Sequence, residues 1–129
     1  MKVRLYAPAS YWDLSPILKA KLCNGCGSKG FGWSIPDTIY GIKVSEACNI
    51  HDFMYRVGRT VEDKQSADRT FLHNLLRIIE AKTKNRMLRF LRGRRAYTYY
   101  VMVKTFGGPA FWSDKNLAET FRYVELDDC

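Results

Sequence analysis

The segment 47–55 places four reactive side chains on one face of a helix. They are spaced i, i+3, i+4 and i+7, as members of a single helical stripe are: Cys48, His51, Asp52 and Tyr55. A second, apolar stripe can pack the helix into the protein: Ile50, Met54 and Val57. A helix buried on both sides would hold a base, an acid, a phenol and a thiol together, which is typical of a functional site. The alternative is a structural helix with a few hydrogen-bonded polar residues. For a single histidine by itself, this alternative would be favoured.

Length and composition indicate a single globular domain over residues 1–129. Of the 129 residues, 47% are hydrophobic and 26% are charged, as in ordinary globular domains. No apolar run reaches the roughly 18 residues that span a membrane, so we expect no transmembrane segment. The N-terminal residues lack the apolar core of a secretory signal, since Asp13 and Lys19 interrupt it. Either export uses another route, or a signal was removed, or the protein stays inside the cell.

The positive charge of the chain is concentrated in one segment. Between Arg77 and Lys104 there are nine Lys or Arg residues and one acidic residue, Glu80, which accounts for the whole formal charge of +8. By Coulomb attraction, such a segment favours an anionic membrane surface or a nucleic acid. The alternative is a solvated helix face that has no partner.

The four cysteines are compatible with several kinds of structure: Cys23, Cys26, Cys48 and Cys129. An even number allows disulfides, with three possible pairings. Three of the cysteines could instead bind zinc, although no fourth ligand is evident. A redox role for Cys23-x-x-Cys26 lacks the strand and helix that accompany thioredoxin-type motifs.

The first half of the chain predicts two helices and a loop. Residues 1–12 are expected to be extended or irregular, and Ser15-Pro16 begins a short helix. The helix with the polar stripe starts near Ser45 and ends near Gly58, which is predicted to be a left-handed cap. Residues 23–33 contain four glycines, so they fit neither a helix nor a strand interior. Such a segment can either turn several carbonyls inward, as calcium binding requires, or form a flexible loop.

The second half predicts two longer helices. Thr60 can cap the first of them. The second runs from Asn85 towards Phe106, with Gly93 as a candidate for a kink or interruption. The fold class is therefore expected to be all-α.

The short connection 58–60 indicates that the helices on either side of it are antiparallel neighbours. His51 lies about 10 Å from the connection along one helix, and Asp68 about 12 Å along the other. Both sit at nearly the same level, across an interaxial gap of about 8–10 Å. Asp68 lies on an apolar helix face, where a carboxylate needs a partner. We therefore expect Asp68 to meet His51, with Tyr55 also in reach.

These motifs resemble those of the secreted-type phospholipase A2 superfamily. Cys48-x-x-His51-Asp52-x-x-Tyr55 is similar to its active-site helix, and Asp68 in Ala67-Asp68-x-x-Phe71 matches its second aspartate. Residues 23–33 resemble its calcium loop. The chain has no room for the long hairpin of animal members, so it resembles the compact microbial branch. The resemblance covers Cys23 to about Leu75, less than half of the chain.

The resemblance implies calcium-dependent hydrolysis of the sn-2 ester of glycerophospholipids. His51 would be the general base, Asp68 would orient it, and Tyr55 would hold Asp68. Asp52 would bind Ca²⁺ through its carboxylate. The remaining ligands would be backbone carbonyls of the loop, where Lys29-Gly30 replaces the Gly-Gly pair of the family: Gly25, Gly27 and either Lys29 or Gly30. The expected architecture is two antiparallel active-site helices, the calcium loop and a further basic helix.

The resemblance also implies two disulfides, and the basic run close to tyrosines predicts a membrane-facing surface. Cys26–Cys48 matches a family disulfide by position, whereas Cys23–Cys129 rests on a looser match. The expected partner is an anionic phospholipid surface, bound through basic residues close to tyrosines: Arg86, Arg89, Arg92, Arg94 and Arg95. We expect no nucleic acid, and we expect a secreted or exported protein that is peripheral at membranes.

Two alternative functions remain. One is a nucleic-acid-binding module built on the basic helix, with zinc on the cysteines. It leaves the combination of His51, Asp52, Tyr55 and Asp68 unexplained. The other is a phospholipase-like protein that binds lipid without turnover.

Overall fold

The computed structural model describes residues 3–18 and 36–112, and this part of the chain is mainly helical. The all-α prediction is confirmed, with one small hairpin in addition. The elements are α1 (Ala9–Trp12), β1 (Thr38–Ile39), β2 (Ile42–Lys43), α2 (Ser45–Val57), α3 (Val61–Lys82), α4 (Arg86–Phe106) and α5 (Gly108–Trp112). Residues 16–18 are also helical, and the Ser15 hydroxyl accepts a bond from the Leu18 N–H at 3.2 Å, as predicted for a cap.

Helix α3 is central to the described part of the fold. It packs against α2 on one side and α4 on the other, while α5 contacts both α2 and α4. The largest core cluster joins α2, α3 and α4 to the hairpin, and its larger members are Ile39, Val44, Phe71, Leu75, Ile78, Ile79, Tyr99 and Val103. Among the described residues, no helix combines the length and apolar character that crossing a membrane requires.

The starts of the two longest helices follow from local sequence. Thr60 and Asp63 form a reciprocal capping box: the Thr60 hydroxyl accepts from the Asp63 N–H at 3.0 Å, and the Asp63 carboxylate accepts from the Thr60 N–H at 3.1 Å. Asn85 caps α4 by accepting from the Leu88 N–H at 2.9 Å. Helix α4 then continues through Gly93 without interruption, since a single glycine costs a helix only about 1 kcal/mol relative to alanine.

Gly58 is not the left-handed cap that the sequence predicts. Its backbone is extended, with φ −71° and ψ 155°, because the chain passes directly into the cap of α3. A close approach explains the glycine instead. A Cβ atom there would lie 2.8 Å from a ring carbon of Phe111 and 2.9 Å from the Met54 carbonyl oxygen.

The N-terminal segment is more ordered than predicted. Residues 9–12 form α1, and the Tyr11 ring, 2% exposed, packs edge-on against Phe53 with ring centroids 5.5 Å apart. Upstream, the buried Asn74 side chain bonds to both backbone groups of Tyr6, at 2.8 and 2.9 Å. These contacts are long-range, so no local pattern in the sequence indicates them.

A two-residue hairpin turn at Tyr40-Gly41 was also not predicted. Both residues have positive φ, 42° and 88°, as a tight hairpin turn of this kind requires. The turn is held on α4 by Arg92, whose Nη2 donates to the Tyr40 carbonyl at 2.6 Å while Nη1 donates to the Thr83 hydroxyl at 2.8 Å.

The assignment of Arg92 to a membrane-binding surface is therefore wrong. Its side chain is only 8% exposed, because this turn of α4 faces polar groups of the hairpin and of the α3–α4 connection. Its Nε is buried without a hydrogen-bond partner among the described residues. Arg92 therefore has a structural role within the fold and is not part of an exposed binding surface.

We expect Arg92→Met to destabilise the protein by about 2 kcal/mol, since two hydrogen bonds from a charged donor are lost. Arg94→Met is the matched control, because Arg94 is exposed on the same helix. Its effect should stay within about 0.5 kcal/mol. Urea denaturation of the three proteins measures both values, and equal effects would contradict the structural role of Arg92.

Candidate active site

Helices α2 and α3 bring the predicted histidine and aspartate together. His51 Nε2 lies 2.8 Å from Asp68 Oδ1. The Tyr55 hydroxyl donates to the same oxygen at 2.7 Å. A single carboxylate oxygen thus contacts both side chains, which lie one turn apart on α2. This agrees with the prediction that His51 and Asp68 lie at the same level along the two helices, with Tyr55 in reach.

The group is enclosed by aromatic rings and by the end of α4. His51 and Tyr55 are each 7% exposed and Asp68 is 2% exposed. The Phe71 ring lies 4.7 Å from the imidazole between centroids, and the Phe111 ring lies edge-on to Tyr55 at 5.1 Å. Electrostatic interactions are stronger in such surroundings than in water.

Gly107 lets the end of α4 approach the site closely. A Cβ atom at this position would collide with the Tyr55 hydroxyl. In the sequence, Gly107 directly follows Phe106, where a glycine is typical of a helix end. The structure gives it a second role, because any larger residue would displace the phenol that holds Asp68.

Lys64 is a member of the group that the sequence analysis missed. Its Nζ donates to the second oxygen of Asp68, Oδ2, at 2.8 Å. It also lies 3.2 Å from the Val103 carbonyl oxygen and 3.4 Å from that of Lys104, both in the last turn of α4. The i, i+4 spacing of Lys64 and Asp68 was visible in the sequence, but such pairs are usually exposed and weak.

The protonation states follow from burial and from these bonds. Burial lowers the pKa of His51, although the hydrogen bond and the charge of Asp68 act in the opposite direction. Burial by itself would raise the pKa of Asp68, but the bonds from His51, Lys64 and Tyr55 outweigh it and hold that pKa below its usual range. Burial and the charge of Asp68 raise the pKa of Tyr55, which therefore remains a donor.

The ionised Asp68 determines the tautomer of His51. A carboxylate can only accept hydrogen bonds, so the imidazole Nε2 must carry the proton that it donates. In the neutral ring, Nδ1 is then the nitrogen with a free lone pair. The arrangement can present a neutral base whose orientation is fixed by a buried acid, as the aspartate of a serine-hydrolase triad fixes its histidine.

The predicted calcium site is only partly within the described residues. Asp52 is partly buried on α2, and its charge acts on Tyr55. The loop positions Gly25, Gly27, Lys29 and Gly30 lie outside the described residues. Within 3–18 and 36–112, no group of three or more His, Cys, Asp or Glu side chains could hold a metal. A site of backbone carbonyls and one carboxylate would contain no such group. The Asp52 carboxylate is an oxygen ligand of the type that calcium prefers.

Cys48 is buried and disulfide-bonded. Its predicted partner Cys26, and the pair Cys23 and Cys129, lie outside the described residues, so the predicted pairing stays a prediction. A sulfur in a disulfide cannot serve as a thiolate ligand. The zinc site proposed as an alternative would therefore lack Cys48.

The other predicted membrane-binding arginines differ in their surroundings. All four are exposed, namely Arg86, Arg89, Arg94 and Arg95, but Arg89 and Arg95 also make contacts outside α4. Arg89 donates to the Thr83 carbonyl at 3.0 Å, and the Arg95 guanidinium lies 5.1 Å from the centre of the Tyr40 ring. The same helix carries exposed apolar residues at i, i+3, i+10 and i+14: Met87, Phe90, Tyr97 and Val101.

No family model, curated protein sequence or solved structure matches the chain. The resemblance to phospholipase A2 therefore rests on the sequence motifs and on the geometry around Asp68, and membership of that family stays a prediction.

The stability of the protein should depend on the charge of Asp68. Because the pKa of this carboxyl is lowered in the folded state, its contribution is complete above the unfolded value of 3.8 and is lost as pH falls through the folded value. Asp68→Asn should destabilise the protein at pH 7 by about 3 kcal/mol, as breaking a buried ion pair does. The difference from wild type should shrink below about pH 4.

Urea denaturation between pH 2.5 and pH 7 measures this difference. The control is Glu62→Gln, which removes an exposed acid from the first turn of the same helix. Its effect should be within about 0.5 kcal/mol at every pH. A difference for Asp68→Asn that stayed constant down to pH 2.5 would contradict the ionised state of this residue.

Proposed function

We propose that this protein hydrolyses the sn-2 ester of glycerophospholipids in a calcium-dependent reaction. The observation that carries the proposal is the pair of bonds to Asp68 Oδ1, from His51 at 2.8 Å and Tyr55 at 2.7 Å. A lone buried histidine would need only one partner. Here the partner is itself held in place, which supports a base with a fixed orientation.

In the proposed reaction, His51 takes a proton from the attacking water through Nδ1. The bond from Nε2–H to Asp68 keeps the ring in the required tautomer and stabilises the positive charge that develops on it. Tyr55 holds Asp68 and does not exchange a proton, since its pKa is raised. No serine nucleophile is required, and the chain contains no Gly-x-Ser-x-Gly motif.

Asp52 and the loop carbonyls would hold the calcium ion. When bound, the ion supplies Lewis-acid polarisation of the ester carbonyl and stabilisation of the oxyanion. Asp52 follows His51 directly in the sequence, so a base and a metal ligand emerge from the same turn of α2. This adjacency supports a shared substrate position between them.

The exposed face of α4 is the proposed membrane-contacting surface. Phe90 is 63% exposed and Met87 69% exposed, beside the exposed Arg86 and Arg94. A helix with exposed apolar and basic residues suits the interface of an anionic bilayer. The same face could bind nucleic acid, and a catalytically silent protein could use it to bind lipid, so both are outcomes of the tests below.

Substitutions at the adjacent positions 51 and 52 should impair different properties of the protein. Asp52→Asn removes the carboxylate ligand, so calcium affinity and hydrolysis should both fall steeply. His51→Gln should lower turnover by about 10²-fold or more while calcium affinity is kept, because only the base is lost. Asp68→Asn should give an intermediate loss of turnover with calcium binding retained.

Calcium titration and hydrolysis of phospholipid vesicles, measured side by side, check these expectations. Loss of calcium affinity in His51→Gln as severe as in Asp52→Asn would contradict the proposed roles. Hydrolysis that continues in excess chelator would contradict calcium dependence. Lipid binding without hydrolysis in the wild type would favour the silent lipid-binding protein.

Binding to membranes should depend on the exposed face of α4. Arg94→Gln should weaken binding to anionic vesicles about fivefold, at about 1 kcal/mol per basic residue near the surface, and the effect should fade as salt rises. Phe90→Ser should weaken binding at every salt concentration. Arg69→Gln, which removes an exposed charge from α3, is the control and should change binding less than twofold.

Vesicle co-sedimentation at low and high salt gives these values. Equal binding to neutral and anionic vesicles at low salt would contradict the electrostatic part of the proposal. Tight binding of DNA together with no binding of lipid would favour the nucleic-acid module.

A further inference from the structure

Lys64 occupies an enclosed position between α3 and the end of α4. Its side chain is only 13% exposed. Its ammonium group has three acceptors, namely Asp68 Oδ2 at 2.8 Å, the Val103 carbonyl at 3.2 Å and the Lys104 carbonyl at 3.4 Å. An ammonium carries three N–H donors, so the site matches its full hydrogen-bonding capacity.

Two of these acceptors belong to the C-terminal end of a helix. The last carbonyls of a helix have no partner within it and carry the negative end of its dipole. The Val103 carbonyl also accepts from the Gly107 N–H at 2.9 Å. Lys64 thus places its charge where a cation is favoured, and it connects the end of α4 to the carboxylate of Asp68.

The Asp68 carboxylate is held at both oxygens. Oδ1 accepts from His51 and Tyr55, while Oδ2 accepts from Lys64. With Oδ2 fixed, rotation of the carboxylate would break the bond to Lys64. Because Lys64 also compensates the charge of this buried group, Asp68 can stay ionised without a net charge in the interior.

We propose that Lys64 is a positioning residue of the active site: it fixes the ionised Asp68 so that Oδ1 faces His51, and it couples this geometry to the end of α4. Lys64 does not contact the substrate and acts only through Asp68. The inference rests on the proposed function for its kinetic test, and a spectroscopic test is independent of it.

The kinetic test uses Lys64→Gln, Lys64→Arg and a control that weakens the same helix. Lys64→Gln removes the charge and should lower kcat at least tenfold, with KM and calcium affinity changed less than twofold. Lys64→Arg keeps a cation and its donors at the site and should recover kcat to within about threefold of wild type. Thr60→Ala disrupts the capping box of α3 without touching Asp68, and should leave kcat unchanged while lowering the unfolding midpoint.

The same assay in an Asp68→Asn background separates positioning from a general loss of structure. If Lys64 acts through Asp68, adding Lys64→Gln to Asp68→Asn should lower kcat no further. A full additional tenfold loss in the double variant would overturn the inference, as would a loss of kcat in Thr60→Ala equal to that in Lys64→Gln.

The spectroscopic test observes the His51 Nε2–H proton by NMR in the absence of lipid. The chain has two histidines, and His73 is exposed, so its ring protons exchange rapidly with water. The signal of the proton bonded to Asp68 should appear far downfield and disappear in His51→Gln. The signal should shift or broaden in Lys64→Gln, whereas it should keep its position and width in Lys64→Arg and in Thr60→Ala.

The two tests distinguish failure of this inference from failure of the proposed function. If the wild type hydrolyses no phospholipid, the proposed function is wrong, and the NMR signal still decides the role of Lys64. An unchanged signal in Lys64→Gln would overturn the positioning role, whatever the outcome of the assay. Hydrolysis by the wild type with full kcat in Lys64→Gln would overturn it while leaving the proposed function intact.

Discussion

The described part of this protein depends on keeping one carboxylate, that of Asp68, ionised inside the core. An ionised carboxylate in an apolar interior is costly unless charge and hydrogen bonds compensate it. Three helices contribute to that compensation. Helix α2 supplies His51 and Tyr55, α3 supplies Lys64, and the end of α4 supplies the carbonyls that hold Lys64 in place. The packing of these helices and the electrostatics of the site therefore depend on each other: the helices must lie close together for Asp68 to stay ionised.

Two glycines and one aromatic ring allow the helices to come close enough for these bonds to form. Gly58 leaves room for the Phe111 ring, and Gly107 leaves room for the Tyr55 hydroxyl. Neither glycine has a positive φ, so close packing rather than backbone conformation explains them. Phe111, itself fully buried, then lies edge-on against Tyr55 and forms part of the apolar surroundings of the group around Asp68. Bonds within that group are consequently stronger than they would be at the surface.

The basic residues of α4 lie in two environments that composition cannot distinguish. Arg92 is buried and joins the hairpin turn to the α3–α4 connection, whereas Arg86 and Arg94 remain exposed beside Phe90. Only the exposed residues can attract an anionic surface. A net charge of +8 therefore overstates the charge available to a partner, because part of it is used inside the fold.

The sequence by itself determined those features of the structure that short-range interactions control. The caps at Thr60 and Asn85 use hydrogen bonds over three residues, so helix starts could be read directly. The meeting of His51 with Asp68 could also be predicted, because a short connection sets the level of two antiparallel helices. The tertiary structure alone decided the buried position of Lys64, the inward direction of Arg92, and the close approaches at Gly58 and Gly107. Each of these depends on contacts with residues distant in sequence, and a lysine, an arginine or a glycine is locally compatible with a surface position or a turn as well as with a buried one.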